Sequence, residues 1–263
     1  MEDTPTSSPS EEELIAAAQK GDSEAFARLF HLSFPRFHDF VLRLVLNEPL
    51  AQQIVQEAYT GAWADCLIRA KPEAGFDPWL HATGYRLGLG ALRRRDPRRH
   101  LTPTTASLLG QIEPERVSDP QVAAFLNDQC QAFWAAAETL APEHRATVLL
   151  RLRQGYDFPR IGRVTGLSSK VAEAIFNKAV KELRSASQTS FMTSRGAERC
   201  PALAEALKGQ RQAPLAQRRR LVDKHIQACP DCRTLLTQLE DPLDLAEALA
   251  PAALRPEVQD KIL

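Results

Sequence analysis

The sequence contains no apolar run approaching the roughly 20 residues needed to cross a bilayer. It also lacks the strict alternation of a half-buried strand, so helices are the only regular elements with support. Cysteine is scarce. Of five, Cys66 and Cys130 stand alone, which argues against a disulfide framework and for a reducing, cytoplasmic setting with metal-bound thiolates. Residues 1–10 have neither a basic end nor an apolar core, and are expected to be a disordered tail rather than a signal peptide. With 44% hydrophobic and 25% charged residues over 263 positions, the chain has room for two or three small folded domains.

The formal net charge of zero hides a segregated pattern. Residues 1–20 carry five acids and one base. Residues 86–99 carry six arginines against Asp96 alone, and residues 151–190 carry eight bases against three acids. The tail from 236 reverses to six acids and two bases. Basic blocks of this kind either contact phosphate or form solvated helix faces.

Apolar residues recur at helical steps. Phe26, Phe30, Phe34, Phe37 and Val41 form one stripe, and Ile54, Ala58, Ala62 and Cys66 form another after Pro49 at a first turn. A third helix is expected over residues 78–95. Residues 96–120 hold four prolines and read as a linker. Helical patterning resumes at 122–140 and 142–183. Residues 185–194 are polar and read as a second linker, and the acidic tail 241–263 has helical spacing broken by Pro251 and Pro256. The predicted fold is all-α.

Residues 157–183 read as a helix-turn-helix. Asp157 caps a first helix, Gly166 supplies a left-handed turn, and Ser168 or Ser169 caps a second helix whose expected inward face is Val171, Ala174 or Ile175, and Ala179. Such a unit places the start of its second helix in the major groove. An αα-hairpin without a DNA role remains the alternative.

Cys200, His225, Cys229 and Cys232 form a Cys-x24-His-x3-Cys-x2-Cys set, whose donors and intervals suit one tetrahedral zinc ion. His225 and Cys229 are one helical turn apart. A redox pair is the rival for Cys229 and Cys232, but that motif favours a βαβ setting. Four protein ligands leave no open position, so the expected role is structural and no enzyme activity is expected.

Longer motifs carry a resemblance. Ala51-Gln-Gln-Ile-Val-Gln-Glu-Ala-Tyr-Thr-Gly-Ala-Trp63, Phe76-Asp-Pro-Trp-Leu80 and Leu92-Arg-Arg-Arg95 resemble the first conserved domain of extracytoplasmic-function sigma factors. Residues 140–150 and 155–168 resemble the second, including its helix-turn-helix. Residues 199–240 resemble the zinc-binding anti-sigma domain, normally a separate protein wedged between the two sigma domains. The resemblance implies that Gln53, Gln56 and Glu57 contact the polymerase core. It places Trp79, Arg86, Arg93, Arg94 and Arg95 near the −10 element, and Ser169, Lys170, Glu173, Asn177, Lys178 and Lys181 towards the −35 element.

The implied organisation is a tail at 1–10, a sigma region two-like domain at 11–95 and a linker at 96–120. A region four-like domain at 121–187, a linker at 188–198, the zinc-binding unit at 199–240 and an acidic helical tail at 241–263 follow. Expected partners are RNA polymerase core, promoter DNA and, within the chain, the zinc unit on the sigma-type domains. Gln53, Arg86, Gly90, Glu173 and Ile175 depart from the family pattern, and Gly84, Gly88 and Gly90 should weaken their helix by up to about 1 kcal/mol each relative to alanine. These departures keep open a second reading, a degenerate sigma-like interaction protein that no longer reads DNA.

Overall fold

A computed structural model describes residues 9–68, 75–94 and 119–248. Arg95, the tail before residue 9, most of the 96–120 linker and the acidic end beyond 248 lie outside the described residues, as does the side chain of Cys66. Every regular element among the described residues is helical, as expected.

The first unit comprises α1 (Glu11–Ala18), α2 (Ser23–Val45), α3 (Glu48–Ile68) and α4 (Phe76–Arg94). Ser10 and Glu13 close a reciprocal capping box on α1, and Asp22 caps α2 through two backbone amides. The stripe read from the sequence faces inward: Phe30, Phe34, Phe37, Phe40 and Val41 are buried against Ile54, Ala58, Tyr59 and Leu80. The glycines of α4 have a structural reason. A Cβ on Gly84 would lie 2.5 Å from the Phe37 ring, and one on Gly88 would lie 2.9 Å from Leu44 Cδ2. Their lack of a side chain lets α4 settle against α2. Gly90 has no such neighbour; its Cβ would meet only the flexible Arg94 tip at 3.8 Å.

The second unit comprises α5 (Pro120–Thr139), α6 (Pro142–Leu152), α7 (Phe158–Thr165) and α8 (Ser169–Phe191). Asp157 caps α7, Gly166 adopts φ 76°, and Ser168 rather than Ser169 caps α8. Gly162 is needed at the turn, because a Cβ there would sit 2.5 Å from the Leu167 carbonyl oxygen. The inward stripe of α8 keeps Ala179 from the expected set and otherwise differs from expectation. It is Ala172, Phe176, Ala179 and Leu183, while Val171 is 45% exposed. Capping at Ser168 fixes the register, and the i, i+4, i+7, i+11 series then lies on the face turned into the core.

Residues 185–198, expected as a linker, are helix instead. α8 runs to Phe191 and passes through a π-helical turn at Met192–Gly196 into Ala197–Arg199. The hydroxyls of Thr189, Thr193 and Ser194 bond back to the carbonyls of Ser185, Thr189 and Ser190 at 2.9, 2.7 and 3.0 Å. This pattern absorbs polar side chains into a helix and disguises it as a linker. Beyond it lie α9 (Pro201–Ala206), α10 (Leu215–Ala228), α11 (Pro230–Thr237) and α12 (Pro242–Ala248). Leu203, Leu207, Val222 and Leu235 form a second core with Phe191 and Met192, and with Ala132 of α5.

The first two units share one core. α6 packs on α2 and α4, and α7 packs on α4. Arg145 is buried and donates to Leu44 O at 3.0 and 2.6 Å and to Ala137 O at 2.9 Å, capping the carbonyl ends of α2 and α5 together. Asp39 binds Arg43 at 2.7 Å and Arg153 at 3.3 Å. Arg36 donates to Gln154 O at 2.8 Å, and Gln154 Nε2 returns a bond to Arg36 O. His81 Nδ1 donates to Asp77 O at 2.7 Å and lies 3.2 Å from the Tyr156 hydroxyl, between the Phe37 and Phe40 rings.

Two outcomes follow from this packing. Gly90→Ala should stabilise the fold by up to about 1 kcal/mol in denaturant titration, whereas Gly84→Ala, forced against Phe37, should destabilise it by about 1–3 kcal/mol. Burial lowers His81 to about 4 and also lowers His38. His81 stays neutral in the fold over this range while the unfolded chain takes up a proton, and the lowering at His38 acts in the same direction. Stability from this source is therefore full above about pH 6.5 and lost as pH falls towards 4. Urea melts between pH 7 and 5 should show that slope, and His81→Asn should flatten it.

Candidate metal centre and nucleic-acid face

The four metal-type donors come from two helix junctions, the start of α9 and the break between α10 and α11. Cys200 is the N-cap of α9, His225 lies in the last turn of α10, Cys229 bridges α10 and α11, and Cys232 lies in the first turn of α11. Pro201 and Pro230, each at a first helical position, set these breaks. The His225 Nε2 atom is 3.3 Å from the sulfurs of both Cys200 and Cys232. All four donor atoms lie within 4.8 Å of one another. A tetrahedral zinc ion requires ligand atoms roughly 3.5–3.8 Å apart, given Zn–S near 2.3 Å and Zn–N near 2.0–2.1 Å. The set fits such an ion with small side-chain shifts.

The electrostatics differ across the site. Cys229 is held below the usual thiol range, first by the Cys232 backbone amide and also by that of Asp231, at the start of α11. Burial, then the neighbouring thiols, push Cys232 up to about 12. A divalent cation would reverse that second effect, because a coordinating thiol is deprotonated by the charge it meets. The fourth-ligand assignment of Cys200 therefore has geometric support alongside the other three. Cys130 is buried beneath Arg43, far from this chemistry in sequence and in core.

On the first unit, Gln53, Gln56 and Glu57 share an exposed face of α3, where with Thr60, Gly61 and Ala64 they line a shallow depression. Trp79 is half-buried and stacks on Phe76 at 6.3 Å. Arg86 is exposed and donates to Thr83 Oγ1. Arg93 and Arg94 end α4 in solvent, and Arg93 pairs with Glu143 of α6 at 3.5 Å. On α8, Ser169, Lys170, Glu173, Asn177, Lys178 and Lys181 are all exposed. Lys178 lies 3.9 Å from Glu182, which also meets His144. The structure thus brings the metal donors together and leaves the polymerase- and DNA-type residues spread over three helices, α3, α4 and α8.

Sequence reasoning missed the buried charges Asp39, Arg43 and Arg145, and the part-buried Arg153 that pairs with Asp39. The available signal was Asp39 and Arg43, a charged i, i+4 pair inside an otherwise apolar stripe.

No family model matches the chain. Over 176 residues it is 30% identical to the RNA polymerase sigma factor CarQ of Myxococcus xanthus, covering 62% of this chain and 90% of that protein. Over 171 residues it is 25% identical to the ECF RNA polymerase sigma factor BldN of Streptomyces coelicolor, covering 65% and 63% respectively.

If the four donors hold a metal, direct metal analysis of purified protein should read one zinc per chain. Cys232→Ala should bring that value towards zero and loosen residues 199–240, whereas Cys130→Ala should leave it unchanged.

Proposed function

Because this chain belongs to the extracytoplasmic-function family of RNA polymerase sigma factors, we propose that it directs polymerase to promoters under the control of its own zinc-binding unit. The observation that carries the reading is the join between the two. α8 begins as the second helix of the helix-turn-helix and ends in the core that holds Cys232. The DNA-type helix and the metal-type site are therefore parts of one continuous element.

In this reading Gln53, Gln56 and Glu57 contact the polymerase core. Trp79 and Arg86, with Arg93, Arg94 and Arg95, meet the −10 element, where an aromatic ring holds an unstacked base and guanidinium groups grip phosphate. Ser169, Lys170, Asn177, Lys178 and Lys181 face the −35 element, and Glu173 accepts from a cytosine amine. Zinc supplies a structural crosslink among Cys200, His225, Cys229 and Cys232. Those four residues orient α9, α10 and α11 against α5 and α8.

The two promoter elements lie about 25 base pairs apart, on the order of 85 Å at about 3.4 Å per pair. Two units sharing one core cannot occupy both, so the packed arrangement is the inactive one. The Arg93–Glu143 pair supports this, since it occupies an arginine assigned to DNA. Unlike a wedge between the sigma-type domains, the metal unit packs on α5 and the later half of α8.

A second reading, an interaction protein that no longer reads DNA, is favoured by one observation. The carboxylate of Glu173 stands exposed on the DNA-type face, where it repels phosphate.

Run-off transcription and core-polymerase binding by the full chain, with zinc bound and after chelation, test the proposal. Core binding and promoter-dependent output are expected, and failure of core binding in both states would sink it. Replacing Lys170, Lys178 and Lys181 by Gln should reduce the salt slope of DNA binding by up to about 3. An unchanged, shallow slope would favour the second reading.

A further inference from the structure

We propose that Arg153 is the bolt of a latch that couples the metal-held C-terminal segment to the closure of the two sigma-type units. The inference rests on the sigma reading above and concerns how its inactive state is held.

Arg153, at the end of α6, joins both units and α12 among the described residues. Its Nε lies 3.3 Å from Asp39 Oδ2 on α2, in the first unit. Its Nη1 donates to Ala246 O on α12 at 3.1 Å. Its own backbone amide continues the second unit, bonding Leu149 O. Asp39 in turn is held by Arg43, whose guanidinium lies 4.6 Å over the Trp134 ring of α5. The guanidinium fork matters here because it can donate in two directions at once.

The other end of the linkage begins at the metal donors. Cys232 lies on α11, and the chain runs from there directly into α12. Two contacts fix the intervening stretch to the second unit, and burial holds α12 itself. The Glu240 amide donates to Gln129 Oε1 at 2.8 Å. Arg184 grips Asp241 through Nε at 2.9 Å and Nη2 at 2.8 Å. Leu245 and Ala246 are buried in the core that α2 and α6 share. α12 is seven residues long and would be marginal alone, so its position depends on these anchors and on α11 before it.

A ligand shifts a two-state equilibrium only through a difference in interaction between the states. In the closed state, a metal-pinned α11 delivers Ala246 O to Arg153. Losing the metal removes the restraint on α11 and leaves α12 held by the Gln129, Arg184 and core contacts, so the delivery of Ala246 O to Arg153 becomes less favourable and the hold on Asp39 weaker. Closure then becomes less favourable, and α4, with Trp79 and Arg93, separates from α6 and α7. Couplings of this kind usually amount to between about 5- and 150-fold.

The test uses the full chain, with zinc bound and after chelation. Amide hydrogen exchange is read at the α2 and α6 ends and at residues 199–240, in parallel with affinity for core polymerase. In the wild type, chelation should speed exchange at the carboxyl-terminal half of α2 and across α6 as well as in the metal unit. It should also raise core affinity by about tenfold. Arg153→Gln should show the faster interface exchange with zinc bound, and chelation should add nothing further. Asp241→Asn, which loosens the segment without touching the interface, should reduce the metal dependence while helix content and metal stoichiometry stay at wild-type values.

The latch is overturned if chelation changes exchange only within residues 199–240, or if Arg153→Gln and Asp241→Asn both keep the full metal dependence. If no state of any variant binds core polymerase, the sigma reading falls, while the exchange data still decide the latch.

Discussion

The buried guanidinium of Arg145 sets the geometry on which the rest of the closed molecule depends. A helix ends with carbonyl groups that have no partner within the helix, and burying them bare is costly. Here α2 and α5, from different units, end at the same place, and one side chain from α6 serves Leu44 O and Ala137 O. The partial negative charge at each carboxyl end also offsets the desolvation of the guanidinium. Burial lowers Arg145 to about 10, so it remains charged at neutral pH. α2 cannot shift along its axis without taking Leu44 O away from the guanidinium, whereas Ala137 O also accepts from the Leu140 amide.

The Asp39 cluster acts differently. Ion pairs taken out of water return little net stability, because desolvation offsets the attraction. Asp39 between Arg43 and Arg153 is better understood as a specificity element, favouring one register of α2 against α6 over its neighbours. The same distinction applies to α4. Gly84 and Gly88 weaken the helix locally but permit an approach to Phe37 and Leu44 that larger residues would block. Close packing and polar matching thus specify the same arrangement from opposite faces of α2.

Much of this was legible beforehand, wherever the relevant physics is local. The phenylalanine stripe of α2, the Asp157 cap and the left-handed Gly166 depend on residues within one or two turns of each other. The metal set was legible because His225, Cys229 and Cys232 are separated by helical steps, while Cys200 lies close to His225 only because α9 and α10 fold back on each other. The polar stretch at 185–198 misled because hydroxyl composition suggests a loop, whereas Thr189, Thr193 and Ser194 turn their hydroxyls back onto the helix backbone. Part of the α8 stripe was missed by one position, with Val171 and Ile175 read where Ala172 and Phe176 face inward, while Ala179 was read correctly. Two adjacent serines can both cap, and Ser168 is the one that does, with Ala172 fully buried.

The sequence by itself determined the all-α class, the helix-turn-helix and the donor set for a metal, since each follows from periodicity, capping and short-range spacing. Tertiary structure alone decided that the two sigma-type units close on one another, that α8 carries straight into the metal unit, and that the segment after it reaches Arg153. These depend on contacts between residues about a hundred positions apart, such as Arg145 with Leu44 and Arg153 with Ala246. No local pattern encodes such pairs, because a buried arginine and a solvent-facing one look the same until the surface that covers them is in place.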